Sequence, residues 1–369
     1  MGTLEITIRP RAGQRWPVVA EHTPHDSPLA QRDEGSLELD RTQLRQLLPN
    51  PREYGAALGA ALFSGPIGRA LDQALGRAGP NPLRLLLYVE DQELRGERWE
   101  RLCLPVDGGW EPLTTYQRVP FSRYLPSHAD RHFLPISRAD LRALVVAASP
   151  ARLNEWGLAP FDEEATVRDV LASLAEAQIP ATLLATRVEG ACAPPSLDEI
   201  VARLSSEHYT LLHLVCHGRS VEYEGSVSYL SRPDDPDAVD PVTAPRLIDR
   251  LNNLRDAASL PHLIFLSSCE SASESSDGAL SGLAQQLVEQ LGIPVVVAMA
   301  DKVSVASATT LASAFYSALA AHGEADLALA QATVRVTERA DVTAPVIFSR
   351  LGGRPLFTRT SQREPTAAA

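Results

Sequence analysis

From Asp140 onward the chain alternates short apolar runs with segments of helical spacing, and this alternation constrains the fold more than any other feature. Leu141 to Ala148, Ala181 to Thr186, Tyr209 to Cys216, Leu263 to Ser268, Pro294 to Met299 and Val346 to Phe348 read as strands, mostly too apolar to leave a face in water. Between them Ala165 to Ala177, Ser196 to Ser205, Ala244 to Arg255, Leu280 to Leu291, Val305 to His322 and Ala325 to Thr337 have helical spacing. Ser196 is expected as an N-cap, with Glu199 closing a capping box. Strands and helices in this order build a parallel or mostly parallel sheet covered on both faces, which is an α/β fold. The polar stretch from Gly218 to Asp240 reads as a surface insertion, with an activation loop as the alternative.

The residues before Asp140 are patterned differently. Leu4 to Arg9 alternates like a half-exposed strand, and Gln43 to Leu48 is a short helix opened by Thr42 and stopped before Pro49. Tyr54 to Leu75 is helical, Leu83 to Val89 is a strand, and 105–140 is rich in turns. The expected division is an amino-terminal α+β region over 1–139, an α/β unit over 140–358 and a disordered tail over 359–369.

Aromatic residues make up only 5% of the chain, so the core must be built from Leu, Val, Ile and Ala. A net charge of −12 argues against binding a nucleic-acid backbone, which needs clustered positive charge. No apolar run approaches the ~20 residues of a membrane span, and the opening residues carry no signal pattern. The four Cys show neither zinc spacing nor a disulfide framework, which fits a reducing, cytoplasmic setting and no metal or other cofactor. Phosphate-cradling glycine motifs are absent from the sequence.

Two of the apolar runs lead into reactive side chains, one into His217-Gly218 and the other into Cys269-Glu270. The stretch between them has room for a helical crossover, so the two strands can be parallel neighbours. Their side chains would then share the carboxyl edge of the sheet, where open α/β sheets bind ligands. A thiol and an imidazole held together form a nucleophile and base pair. Gly218 adds a backbone N–H that a carbonyl oxygen can approach closely, and with the N–H of Cys269 it would make an oxyanion hole. On the residues alone, Cys269 as a small buried hydrophobe and His217 as a hydrogen-bonded strand-end His stay open. His213 reads as a core His. Strand alternation turns Cys216 away from His217, so a metal set of His213, Cys216, His217 and Cys269 lacks paired ligand spacing. Glu270, Glu274 and Asp277 are either a pocket for a basic side chain or a solvated loop. Asp301, just past the run ending at Met299, falls on the same edge as a candidate substrate contact.

The order of motifs resembles the CHAT family of caspase-like proteins. The resemblance is carried by His217-Gly218, Leu263-Ile-Phe-Leu-Ser-Ser-Cys269-Glu-Ser, Gly282-Leu-Ala, Val295-Val-Val-Ala-Met and Phe315-Tyr316-x-x-Leu319, and by the closing Phe348-Ser-Arg-Leu-Gly-Gly-Arg-Pro-Leu-Phe. Upstream, Tyr54-Gly-x-x-Leu-Gly-x-x-Leu-Phe63 and Arg98-Trp-Glu-Arg-Leu102 resemble the portion that precedes the caspase-like unit in that family. The Trp99-Glu100 pair is kept, but Arg98 stands where the family commonly has Pro. The resemblance extends over about residues 1 to 358 and implies a separase-related, caspase-like three-layer sandwich with cysteine endopeptidase activity. It implies His217 as the catalytic His, Cys269 as the nucleophile, and the amides of Gly218 and Cys269 as the oxyanion hole. It further implies a protein substrate, such as a gasdermin-like pore former cut in bacterial defence or regulated cell death, and a separate regulatory or sensor protein. The alternative from another class is a catalytically silent caspase-like scaffold that binds a partner protein.

Overall fold

The computed structural model describes residues 1–125, 135–221, 223–254, 259–267, 279–301, 303–336 and 345–358. The amino-terminal part contains strands β1 (Gly2–Ile8), β2 (Trp16–Thr23), β3 (Gln31–Leu37), β4 (Leu83–Val89), β5 (Cys103–Val106), β6 (Gly109–Pro112) and β7 (Phe121–Tyr124). Its helices are α1 (Arg41–Gln46), α2 (Pro51–Leu62), α3 (Gly65–Ala78) and α4 (Gln92–Arg95). After β8 (Ile136–Ser137) come β9 (Ala143–Ala147), α5 (Glu163–Glu176), β10 (Ala181–Leu184), α6 (Leu197–Ser206) and β11 (Leu211–Val215). Then follow β12 (His217–Val221), β13 (Gly225–Ser231), β14 (Val239–Thr243), α7 (Ala244–Asn252) and β15 (Leu263–Ser267). The chain ends with α8 (Ala279–Leu291), β16 (Val295–Met299), α9 (Val305–His322), α10 (Ala325–Thr333), β17 (Pro345–Ser349) and β18 (Phe357–Thr358).

An eleven-stranded sheet in the order β10-β9-β11-β15-β16-β17-β7-β4-β1-β2-β3 organises the molecule. Its pairings are parallel except where β17 meets β16 and within β1-β2-β3, so the sheet is mostly parallel. Central strands are buried on both faces, and their alternation sends successive side chains into two separate cores. Leu211, Leu263, Phe265, Val295 and Val297 pack with α5, α9 and α10 on one face. Leu212, Leu214, Ile264, Leu266 and Val296 pack with α6, α7 and α8 on the other. The expected three-layer α/β sandwich is therefore present.

The amino-terminal strands continue the same sheet across residue 140, through the pairing of β17 with β7 and of β7 with β4. Strand β7 comes out of the segment whose sequence shows mainly turns. Strand β3 lacks a sequence signal for a related reason. β3 is the edge strand, polar along most of its length, with only Leu37 buried. Tyr54 to Leu75 divides into α2 and α3 at Phe63 and Ser64, where Gly65 takes the left-handed φ of +53° that lets the chain turn. Asp40, rather than Thr42, caps α1, accepting from the amides of Thr42 and Gln43. Ser196 caps α6 by accepting from Glu199 N at 3.2 Å, as expected. The Glu199 carboxylate, however, pairs with Arg203 at 2.7 Å instead of completing a capping box. The supposed surface insertion after His217 is largely a three-stranded antiparallel sheet, β12-β13-β14, whose buried residues Val227 and Tyr229 pack with Leu153 and Leu158. The expected tail, 359–369, lies outside the described residues, and no helix among those described is long and apolar enough to cross a membrane.

Helix α2 is pressed onto the chain at 101–103 through two glycines. A Cβ on Gly55 would stand 1.9 Å from the carbonyl oxygen of Arg101, and one on Gly59 would stand 2.3 Å from that of Cys103. Gly55→Ala is therefore expected to lower stability by about 1–3 kcal/mol, read as a shift in the urea midpoint. An unchanged midpoint would mean that α2 can move away at no cost.

Candidate active site

Strands β11 and β15 pair directly and in parallel, and their last rung joins Val215 to Ser267. Beyond it, Cys216 N donates to Ser267 O at 3.2 Å. His217 follows that rung by two residues and stands at the carboxyl edge, and Cys269 follows it by two residues in the sequence. Cys269, with Glu270, Glu274 and Asp277, lies outside the described residues.

His217 opens β12, where the chain leaves the large sheet for the small one, and its ring is fully buried. Nε2 donates to the carbonyl of Ala159 at 2.8 Å. A carbonyl only accepts, so the neutral ring carries its proton on Nε2 and its lone pair on Nδ1. The Phe161 ring meets the imidazole edge-on at 5.6 Å. Burial holds the His217 pKa below the usual histidine value; Arg219 adds to this, and the Ala159 carbonyl opposes it. The ring is thus neutral at pH 7, the state in which a base can accept a proton.

A buried carboxylate holds Ala159 in place. Phe161 N donates to Ser149 Oγ at 2.8 Å, and Ser149 N donates to Glu163 Oε1 at 3.0 Å. Glu163 Oε2 accepts from the amides of Thr186 and Arg187 at 3.0 and 2.8 Å. Glu163, in the first turn of α5, thereby ties together the segments that leave β9 and β10. Ala159 leaves no trace in the sequence because it acts through its carbonyl. Glu163 resembles any acidic residue in a first helical turn.

Gly218 pairs with Ser228 across β12 and β13. A Cβ there would lie 3.0 Å from Leu280 Cδ2, so the missing side chain also lets α8 begin against β12. Asp301, two residues past β16, accepts from Arg101 at 2.8 Å and faces Arg98 at 3.4 Å. Arg98 also donates to the Ala300 carbonyl. Its charge is therefore compensated within the chain. The Trp99-Glu100 motif is carried to this edge between those two arginines. Trp99 is buried with Nε1 donating to Leu94 O at 2.8 Å, and burial raises the Glu100 carboxyl above the usual range.

The other thiols are in different settings. Burial pushes Cys216 up to about 12 and Cys103 up to about 11, which keeps both protonated, whereas Cys192 is exposed. His213 is a core residue, its Nδ1 3.0 Å from the Tyr316 hydroxyl and its ring 5.0 Å from that of Phe265. Among the described residues no three His, Cys, Asp or Glu side chains converge as metal ligands.

The fold is thus a mostly parallel sheet between two layers of helices, with a buried His just past one of its central strands. The CHAT domain sequence pattern matches residues 52–361, and the chain belongs to that family, a caspase-like protease family. A comparison with curated proteins finds no match. Among solved structures, the chain is similar to the separase of the Saccharomyces cerevisiae separase–securin complex at 10% identity and a TM-score of 0.48. The similarity takes in 94% of this chain but 30% of the separase chain, so this chain spans under a third of that protein.

The buried histidines make stability depend on pH. Burial lowers the His213 pKa from 6.5 to about 3. As the pH falls below about 6.5 the unfolded chain takes up the proton first, so the folded state loses stability until the pH reaches about 3. The loss approaches about 1.4 kcal/mol per pH unit. Urea unfolding at pH 7, 6 and 5 is expected to show this slope and to show a shallower one in His213→Leu; equal slopes would remove the assignment.

Proposed function

We propose that the chain is a cysteine endopeptidase that acts on a protein partner in the cytoplasm. Cys269 attacks the scissile carbonyl, the amides of Gly218 and Cys269 hold the oxyanion, and His217 passes the thiol proton to the leaving amine. The observation that carries this reading is the shared rung, with both residues two positions beyond Val215 and Ser267 on paired parallel strands. It is supported by the orientation of His217, whose donated hydrogen bond to Ala159 leaves Nδ1 as the basic nitrogen. It is also supported by membership of the CHAT family.

The substrate in this reading lies extended along the carboxyl edge. An acidic pocket would rest chiefly on Glu270, Glu274 and Asp277, since Asp301 is already paired with two arginines. Cleavage after Arg or Lys would assign the acidic loop to substrate recognition, and cleavage after Leu or Met would remove it. A gasdermin-like pore former or another defence effector, controlled by a separate regulatory or sensor protein, fits what the family resemblance implies.

Thiol chemistry tests the reading directly. At pH 7 iodoacetamide should spare the buried Cys103 and Cys216 and alkylate Cys269 at least tenfold faster than the exposed Cys192. His217→Ala should erase the advantage of Cys269 without changing Cys192, and Cys269→Ala should abolish proteolysis of any substrate found by mass-spectrometric profiling. If Cys269 reacts no faster than Cys192 under every activating condition, the silent scaffold takes the place of the enzyme.

A further inference from the structure

The support of His217 reaches further than Glu163, and it passes through Ser149. Ala147 is level with Val215, and Ser149 and His217 each follow that rung by two residues. Ser149 is fully buried with each of its polar groups engaged. Its N–H donates to Glu163, its hydroxyl oxygen accepts from Phe161 N, and its carbonyl accepts from the Arg187 guanidinium at 3.0 Å. The Arg187 amide also donates to Glu163, so Arg187 holds the same knot from backbone and side chain at once. The guanidinium then reaches outward and donates to Asp237 Oδ1 at 2.7 Å, in the loop 232–238 between β13 and β14. The carbonyl of Asp237 accepts from Arg152 N at 3.0 Å, and Asp235 pairs with the Arg152 guanidinium at 2.7 Å. Two acidic residues of the polar stretch after Gly218 thus grip the segments that carry the support of the imidazole.

The segment from Arg152 to Phe161 is fastened at two places. Its Leu153 and Leu158 are buried against Val227, Tyr229 and Val239 of the small sheet, and Arg219 donates to the Gly157 carbonyl at 3.0 Å. At its far end it is tied to Ser149 through the amide of Phe161. The Ala159 carbonyl that accepts from His217 Nε2 lies between these attachments, so its direction depends on both.

The two bonds of Arg187 differ in kind. Its pair with Asp237 is exposed, at 45% and 55% for the two side chains, and such a pair adds little stability by itself. Its bond to the carbonyl of the buried Ser149 is charge-assisted and is the stronger of the two. A long arginine side chain loses much rotamer freedom when it is held in one place. Asp237 therefore acts by keeping the guanidinium fork in the rotamer that reaches Ser149.

We propose that Arg187 is a positioning residue for His217: clasped by Asp237, it fixes Ser149 and so keeps the Ala159 carbonyl on Nε2. The loop 232–238 is then a standing brace of the imidazole rather than an activation loop that must open. Its service to proton transfer rests on the peptidase reading; its effect on the ring does not. The test uses the full-length protein with nitrogen-labelled histidine rings, read by nuclear magnetic resonance at pH 7. The His217 signals, assigned with His217→Gln, should show the proton on Nε2. In Arg187→Met the two ring-nitrogen signals should draw together as the proton divides between Nε2 and Nδ1, and alkylation of Cys269 by iodoacetamide should slow at least threefold. Asp237→Asn should move the ring in the same direction by less. Arg246→Met removes another exposed ion pair of the small sheet, the one with Asp240, and should leave the ring unmoved. An unchanged ring in Arg187→Met would overturn the proposal. So would an equal change in Arg246→Met, which would make the effect a general loosening. Because the ring is read without cleavage or thiol chemistry, failure of this proposal and a failure of Cys269 to show enhanced reactivity are separate results.

Discussion

The direct parallel pairing of β11 with β15 is the constraint on which the candidate chemistry depends. Each strand is buried on both faces, and alternate residues feed two different cores. A slip of one residue would send every apolar side chain of one strand to the wrong core. The same register that satisfies packing therefore also fixes where the two strands end, at the rung of Val215 and Ser267 that His217 follows by two residues. The core sets the place of His217 at the strand end before the ring makes a contact.

What the sheet does not fix is the orientation of the imidazole, and that falls to backbone groups. The Ala159 carbonyl selects the tautomer, and Ser149 and Glu163 hold the loop that carries it. Glu163 accepts three backbone N–H groups while 3% exposed, so its charge is taken up by the ends of β9 and β10 rather than by a cation. Hydrogen bonds to a buried charge are among the stronger ones, about 1.5–3 kcal/mol each. The loop bearing the carbonyl is therefore stiff at the point where the ring needs support.

This division of labour explains what could be read from the residues. The fully buried strands are legible because both faces are apolar, and the place of His217 at a strand end is legible because its strand is one of them. Strands β3, β12 and β13 are hidden because an edge or a small satellite sheet carries polar residues at half its positions. Ala159 is silent because only its carbonyl acts. Arg98 reads from the sequence as a departure from the family's usual Pro. In the structure its guanidinium reaches the Ala300 carbonyl and Asp301, which a Pro could not do.

The contacts across residue 140 bear on whether the two halves are separable. The pairing of β7 with β17 is one link. A second is the guanidinium of Arg84, its side chain 5% exposed, on Asp326 and on Glu324 at 2.5 Å. A third is the pairing of Arg98 and Arg101 with Asp301. Removing the amino-terminal region would bare a strand edge and leave Asp326, a largely buried carboxylate, without its cation. Both changes are costly, since an open edge recruits other chains and an uncompensated buried charge costs about 3–5 kcal/mol. The helices and strands before residue 140 are thus part of the same cooperative sheet as the candidate dyad. They also supply the arginines that occupy Asp301, so the edge at which a substrate would lie is built from both halves of the chain.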